Sequence, residues 1–159
     1  MHARLLLTLA GDLDHLRVAW QAGEALLEAT PFEGDAEAAR YDVLVAVQEI
    51  VTNVLRHAYR GETTELVRVE FEIDDREFAV TVADRGPEFD PSRAQTRGML
   101  AQEPPRECGG WGVMIVKTTM DEVSYQRRDG WNMLRMVKRL ASQSTPATRE
   151  GSMTPGEAR

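Results

Sequence analysis

Residues 67–82 read Val67-Arg68-Val69-Glu70-Phe71-Glu72-Ile73-Asp74-Asp75-Arg76-Glu77-Phe78-Ala79-Val80-Thr81-Val82. Every second residue from Val67 to Ile73 is apolar, and Phe78, Val80 and Val82 restore the pattern after Asp74-Asp75-Arg76. A side-chain period of two belongs to a strand, and charge at the alternate positions keeps one face in water. The stretch is therefore a β-hairpin with one dry face and one wet face. A sheet of that kind carries helices on its dry face only. This predicts an α+β fold, a two-layer sandwich with helices on one face, rather than a doubly wound sheet.

On the N-terminal side, Ala3 to Leu9 reads as an opening strand. Asp12 to Glu28 reads as a helix, with Leu13, Leu16, Gly23 and Leu27 at helical spacing. Pro31 and Gly34 break it. A longer helix is predicted from about Ala36 to Tyr59, its apolar stripe made by Val43, Val47, Ile50, Val51, Val54 and Ala58, with Gly61 ending it. On the C-terminal side, Gly86 to Gly109 is a long polar loop rich in Gly, Pro and Arg, a length that in compact domains marks a functional lid or disorder. A helix from about Trp111 to Met120 follows. Strands near Val123–Arg127 and Met133–Arg139 come next, turned by Asp129-Gly130. Ten of the 19 residues from Ala141 to Arg159 are Ser, Thr, Pro or Gly, and Met153 is the only large apolar one. Such a segment cannot bury enough surface to offset its ordering entropy. The expected organisation is one folded domain over residues 1–140 and a flexible tail over 141–159.

Composition narrows the function. Lys plus Arg is 19 and Asp plus Glu is 26, a formal net charge of −7, so the chain is poorly suited to wrapping nucleic acid or an anionic membrane. A single cysteine, Cys108, excludes an internal disulfide and a cysteine-built zinc site. His2, His15 and His57 are too scattered to suggest a metal cluster. The run Leu5-Leu6-Leu7 is far too short for a signal-peptide core or a membrane span, and the expected location is the cytoplasm.

Three constellations could carry chemistry. Glu49 and Asn53 lie four residues apart on the long helix and so share one face, read as a flank turned away from the Val43/Val47/Val54 stripe. Asp84-Arg85-Gly86-Pro87 follows the hairpin directly. A carboxylate at a strand end can accept from an exocyclic amine, and a glycine two residues on lets backbone approach a flat ligand. Gly109-Gly110-Trp111-Gly112 closes the long loop and opens a helix, where backbone N–H groups make a phosphate cradle. Lys117-Thr118 imitates the end of a P-loop, but Val116 stands where that motif needs glycine. Each constellation alone fits an ordinary solvated flank, turn or helix start.

In this order the three are far more specific. A helical Glu-x-x-x-Asn, a hairpin ending in Asp-x-Gly and a lid closing on Gly-Gly-x-Gly resemble the GHKL ATPase superfamily. The stretches QEIVTNVLRHAYRG, VADRGPEFDP, GGWGVMIVKTTMDEVSYQRRDG and LRMVKRL are similar to the serine/threonine kinases that act as anti-sigma factors in bacterial partner-switching systems. The likeness covers roughly residues 3–140. It implies a Bergerat-type sandwich with a mixed, mostly antiparallel sheet, binding ATP or ADP with Mg²⁺. It also implies transfer of the γ-phosphoryl to Ser or Thr on an anti-sigma-factor antagonist protein, with a sigma factor or other regulator as a second partner and a homodimer as the assembly.

Carried over residue by residue, the resemblance makes Glu49 the general base and Asn53 the Mg²⁺ ligand. Asp84 and Gly86 form the adenine pocket, and Gly110 and Gly112 offer N–H groups to the phosphates. Arg97 and Arg106 sit in the lid, Arg106 as a phosphate-neutralising cation, and Arg17 lies on the first helix where the family's partner contacts fall. The family often places a threonine at the start of its last strand. Here Asn132 and Met133 stand there, with Asn132 as the residue to hydrogen-bond a water or the adenine. The rival reading is a nucleotide-gated regulatory binding module with little or no kinase activity, against which Glu49 argues.

Overall fold

A computed structural model of the chain describes residues 2–10, 15–32, 34–59, 65–90 and 110–140, and the side chains of His57 and Trp111 lie outside that description. Five strands form one sheet: β1 (Ala3–Ala10), β2 (Leu66–Ile73), β3 (Glu77–Asp84), β4 (Glu122–Arg128) and β5 (Trp131–Arg139), in the spatial order β1-β2-β3-β5-β4. The sheet is antiparallel, in line with the mostly antiparallel sheet that the resemblance implied: among the described residues every strand pair is antiparallel. β3 and β5 run in opposite directions because α3 (Gly110–Thr119) and β4 intervene, bringing the chain back into β5 by a tight hairpin. At that hairpin Asp129 and Gly130 both adopt positive φ, 52° and 79°, the conformation a two-residue turn requires.

The predicted hairpin is present in the expected register, with Val69 opposite Val82 and Phe71 opposite Val80. Val67, Val69, Phe71, Phe78, Val80 and Val82 are all essentially buried, whereas Arg68 is exposed and Glu70 and Glu72 half-exposed. β1 alternates likewise: Leu5, Leu7 and Leu9 pack on the core while Leu6 is 54% exposed. α1 (Leu16–Glu28) contributes Ala19, Gly23 and Leu27 to the dry side, and α2 (Ala36–Asn53) contributes Val43, Val47, Ile50 and Val51. Asp35 caps α2 by accepting a hydrogen bond from the Ala38 N–H at 3.0 Å.

The long helix departs from its expected form at its end. It stays α-helical only to Asn53, then widens into a π-helical turn over Val54–Ala58, closed by the Tyr59 N–H donating to the Val54 carbonyl at 3.1 Å. The wide turn carries Tyr59 into the core, where its phenol is 4% exposed, donates to the Leu66 carbonyl at 2.8 Å and accepts from the Arg85 N–H at 2.9 Å. One side chain thus ties the end of the helix to both β2 and the loop after β3. Single π turns of this kind recur at functional sites. Gly61, the expected end point, and the tail from Ala141 onward lie outside the described residues.

Candidate functional site

A mainly apolar cleft opens between the end of α2, the start of α3 and the inner face of β3 and β5, with a cavity of about 320 Å³. Val82 and Leu134 form its floor, Ile50, Val54 and Ala58 one wall, and Val113 another, with Asn53, Asp84, Glu88, Tyr125 and Asn132 the polar residues of the lining. A mostly apolar pocket with a few converging polar groups is the usual form of a small-molecule site.

At the helix end, Glu49 and Asn53 share a face as their spacing requires, but that face is not the solvated flank expected from the stripe. Both are half-buried, because the first turn of α3 lies over them. A Cβ at Gly112 would run into the Glu49 carboxylate and come within 3.2 Å of Asn53 Nδ2. Gly112 is what allows the carboxylate to lie against the opening turn of α3. Gly110 is the first residue of that helix, so both glycines belong to the turn whose N–H groups have no intrahelical partner. Asn53 Nδ2 is buried without a hydrogen-bond partner among the described residues. An orphaned donor at the edge of an apolar cleft fits a polar ligand arriving from outside.

At the sheet end, Asp84 is 7% exposed and stands opposite Asn132 in the β3–β5 ladder. Its Oδ1 accepts from the Gly86 N–H at 2.7 Å and from Asn132 Nδ2 at 2.9 Å. Burial pushes its carboxyl above the ordinary carboxylate range; the hydrogen bonds from Asn132 and the Gly86 N–H and the nearby Arg127 charge pull it back only in part. Gly86 is held differently from the expectation. Besides any approach to a ligand, it must admit the π turn, since a Cβ there would lie 2.5 Å from the Ala58 Cβ.

The comparison with known proteins can now be placed on this geometry. The sequence profile of the histidine kinase-like ATPase domain family matches residues 9–138. The chain belongs to that family. Within it, 105 residues are 28% identical to the serine/threonine-protein kinase BtrW of Bordetella bronchiseptica, covering 66% of this chain and 74% of that protein. Over 109 residues the chain is 34% identical to the anti-sigma F factor of Pasteuria penetrans, covering 67% and 72%. Over 106 residues it is 32% identical to the serine-protein kinase RsbW of Oceanobacillus iheyensis, covering 64% and 66%. A crystal structure of the RsbU and RsbW domains of a Mycobacterium tuberculosis protein shares the fold with a TM-score of 0.60 at 18% identity, over 87% of this chain and 32% of that one.

This member of the histidine kinase-like ATPase family thus lines one cleft with Asn53, Asp84 and Asn132, with Gly86 bonded to Asp84, Gly112 against Glu49 and Asn53, and Gly110 at the start of the same helix as Gly112. Arg17 stands apart, exposed on α1. Arg97, Arg106, Cys108 and Gly109 lie outside the described residues. Sequence reasoning missed Tyr125 and Arg127. Tyr125 OH donates to Asn132 Oδ1 at 2.9 Å, and Arg127 Nη1 donates to the same oxygen at 2.6 Å and to the Gly86 carbonyl at 3.2 Å. The signal for Arg127 was available. A two-residue turn at Asp129-Gly130 sets Arg128 opposite Trp131 and Arg127 opposite Asn132.

On the outer face of the sheet, Trp131 has the guanidinium groups of Arg68 and Arg85 at 4.1 and 4.6 Å from its ring centroid. Among the described residues no cluster of three or more His, Cys, Asp or Glu could hold a metal ion, and no helix is long and apolar enough to cross a membrane.

Proposed function

We propose that this chain is an ATP-dependent protein serine/threonine kinase that works as an anti-sigma factor in a partner-switching module. Its substrate would be an anti-sigma-factor antagonist protein, with a sigma factor or other regulator as the second partner. The observation that carries this reading is the placement of the Glu49 carboxylate against the opening turn of α3, beside Asn53 and at the mouth of a cleft whose far end holds Asp84. The names of the relatives support the same class of activity.

In this reading the apolar walls take an adenine ring and Asp84 accepts from its exocyclic amine. The N–H groups of Gly110 and Gly112 face the phosphates, with Arg106 as a further cation. A magnesium ion would be held by the nucleotide's own phosphate oxygens and by the Asn53 side chain. When bound, the ion would offset negative charge on the phosphates. Glu49 accepts the proton of a serine or threonine hydroxyl as the hydroxyl oxygen bonds to the γ-phosphorus and the bond to the β–γ bridging oxygen breaks. In a loose transition state most of the catalysis is positioning, which falls to α2 and the first turn of α3.

Arg17, exposed on α1, belongs to the partner surface in this proposal. A homodimer, as the resemblance implies, is the assembly in this proposal. Residues 1–140 form the working domain and 141–159 a tail, and the site of action is the cytoplasm. Incubation with ATP, Mg²⁺ and a candidate antagonist, followed by intact-mass measurement, tests the reading. One added phosphate on a Ser or Thr of the antagonist supports the kinase. Nucleotide-dependent partner binding with no added phosphate gives the protein over to the binding-module alternative.

A further inference from the structure

The hydrogen bonds around Asp84 are lopsided. Both protein donors, the Gly86 N–H and Asn132 Nδ2, fall on Oδ1, and among the described residues none reaches Oδ2. Asn132 is itself held from the other side. Its Oδ1 accepts from Arg127 Nη1 and Tyr125 OH, while its Nδ2 has Asp84 Oδ1, the Gly86 carbonyl at 3.2 Å and the Pro87 carbonyl at 3.0 Å as acceptors. A flipped Asn132 amide would set its oxygen against a carboxylate and two carbonyls and its NH₂ against a guanidinium. Only one orientation is therefore tolerated. With both oxygen lone pairs and both amide protons engaged inside the protein, Asn132 has no capacity left for a ligand.

We propose that Asn132, oriented by Arg127 and Tyr125, is a positioning residue that commits one oxygen of Asp84 to the protein and leaves the other as a bare acceptor, so that the pocket selects a purine bearing an exocyclic amine over one bearing a carbonyl. This rests on the nucleotide-binding reading above and adds to it the part of the machinery that sets base selectivity. The direct bond to adenine expected of Asn132 is replaced by an indirect role through Asp84. The pinning has a sharp corollary. In Asp84→Asn the amide oxygen stays with Gly86 and Asn132, because both are donors. The NH₂ then points into the cleft, where it opposes an amine and donates to a carbonyl.

The test is calorimetric titration of the full chain with ADP and with inosine diphosphate, which carries a carbonyl in place of the amine. Wild type should prefer ADP. Asn132→Ala should narrow that preference about tenfold, mainly by weakening ADP, the size expected when one orienting hydrogen bond is lost. Arg127→Ala changes an exposed side chain, so it keeps the test alive if Asn132→Ala does not fold, and it should narrow the ratio in the same direction. Asp84→Asn should invert the preference. Equal weakening of both nucleotides in Asn132→Ala and Arg127→Ala would assign Asn132 a merely structural role and overturn the proposal. So would an Asp84→Asn protein that still favours ADP. If wild type binds ADP and inosine diphosphate equally, the selectivity mechanism falls while the nucleotide site stands; if it binds neither, the nucleotide reading itself falls.

Discussion

At the sheet end of the cleft, Asp84, Asn132, Arg127 and Tyr125 hydrogen-bond to one another and to the loop at Gly86 and Pro87. At the helix end, Asn53 Nδ2 is buried with no partner among the described residues, and Glu49 lies half-buried against a glycine. The first region is rigid before anything binds, so little ordering entropy remains to be lost there on binding. The second leaves a polar group open, which costs stability unless something from outside completes it. In the proposed reading, recognition and chemistry fall to regions that differ in how fully their own bonds are made. The sheet supplies the closed network and the helix termini the open one.

The most severe way to break this contrast is at Glu49. Glu49→Gln keeps shape and hydrogen bonding but cannot take a proton, so single-turnover transfer from labelled ATP should fall by about 10²–10⁴-fold, nearer the lower end for a loose transition state. ADP affinity measured on the same preparation should be retained. A wild-type transfer rate in Glu49→Gln would remove the base from the helix end.

Two glycines sharpen the comparison next. In Gly86→Ala the new methyl meets the Ala58 Cβ at 2.5 Å and the Ala58 Cα at 3.2 Å, so the collision is with a helical turn that cannot swing aside. Overpacking of this kind costs about 1–3 kcal/mol, read as a lower midpoint in urea unfolding. In Gly112→Ala the methyl meets the end of the Glu49 side chain, which can rotate away. Stability should change by less than about 1 kcal/mol while transfer falls at least about tenfold, because a displaced base is out of reach of its proton. Similar stability losses in both variants would erase the distinction between the two ends.

A smaller effect concerns Asp84 without ligand. Burial raises its carboxyl pKa in the folded protein, so the folded state holds this proton more tightly than the unfolded chain does. Its contribution to stability is therefore most favourable below the ordinary carboxylate value of about 3.9 and is lost as pH rises through the raised value. Asp84→Asn should melt a few degrees above wild type at pH 7, and the gap should close as pH falls toward 4. Thermal melts of both proteins from pH 4 to 7 give the answer, and a pH-independent gap would mean the carboxyl is not strained by burial. The smallest expected effect belongs to the tail. Ending the chain at Leu140 should shift the melting temperature by no more than about one degree and leave ADP affinity unchanged, because residues 141–159 carry almost no apolar surface.

How legible each region was follows from the range of the interactions that build it. The hairpin at Val67–Val82 could be read because strand period and turn composition are local, and the Glu49–Asn53 pairing because helical geometry converts four residues into one face. The Asp84–Asn132 pair could not, since it joins positions 48 residues apart through a β3–β5 register that no local pattern encodes. The covering of Glu49 by α3 was hidden for the same reason: amphipathic spacing shows which flank is polar but not which neighbour lies on it. The π turn escaped because Val54, Leu55 and Ala58 suit an α-helix equally well. It is the docking of Tyr59 on Leu66 and Arg85, a tertiary event, that accompanies the wider turn.

The strand alternation that buries Asn132 turns its neighbour Trp131 to the opposite side of the sheet, under the guanidinium groups of Arg68 and Arg85. Arg85 is also the residue between Asp84 and Gly86, the loop that lines the sheet end of the cleft. A shift of that loop moves a cation over an indole ring, and indole emission responds to nearby charge. Trp131 is in this sense a native optical gauge. It lies on the far side of the sheet from the cleft, one peptide bond from the residue that holds Asp84, so in a chain whose Trp20 and Trp111 are replaced its emission would report a shift of that loop.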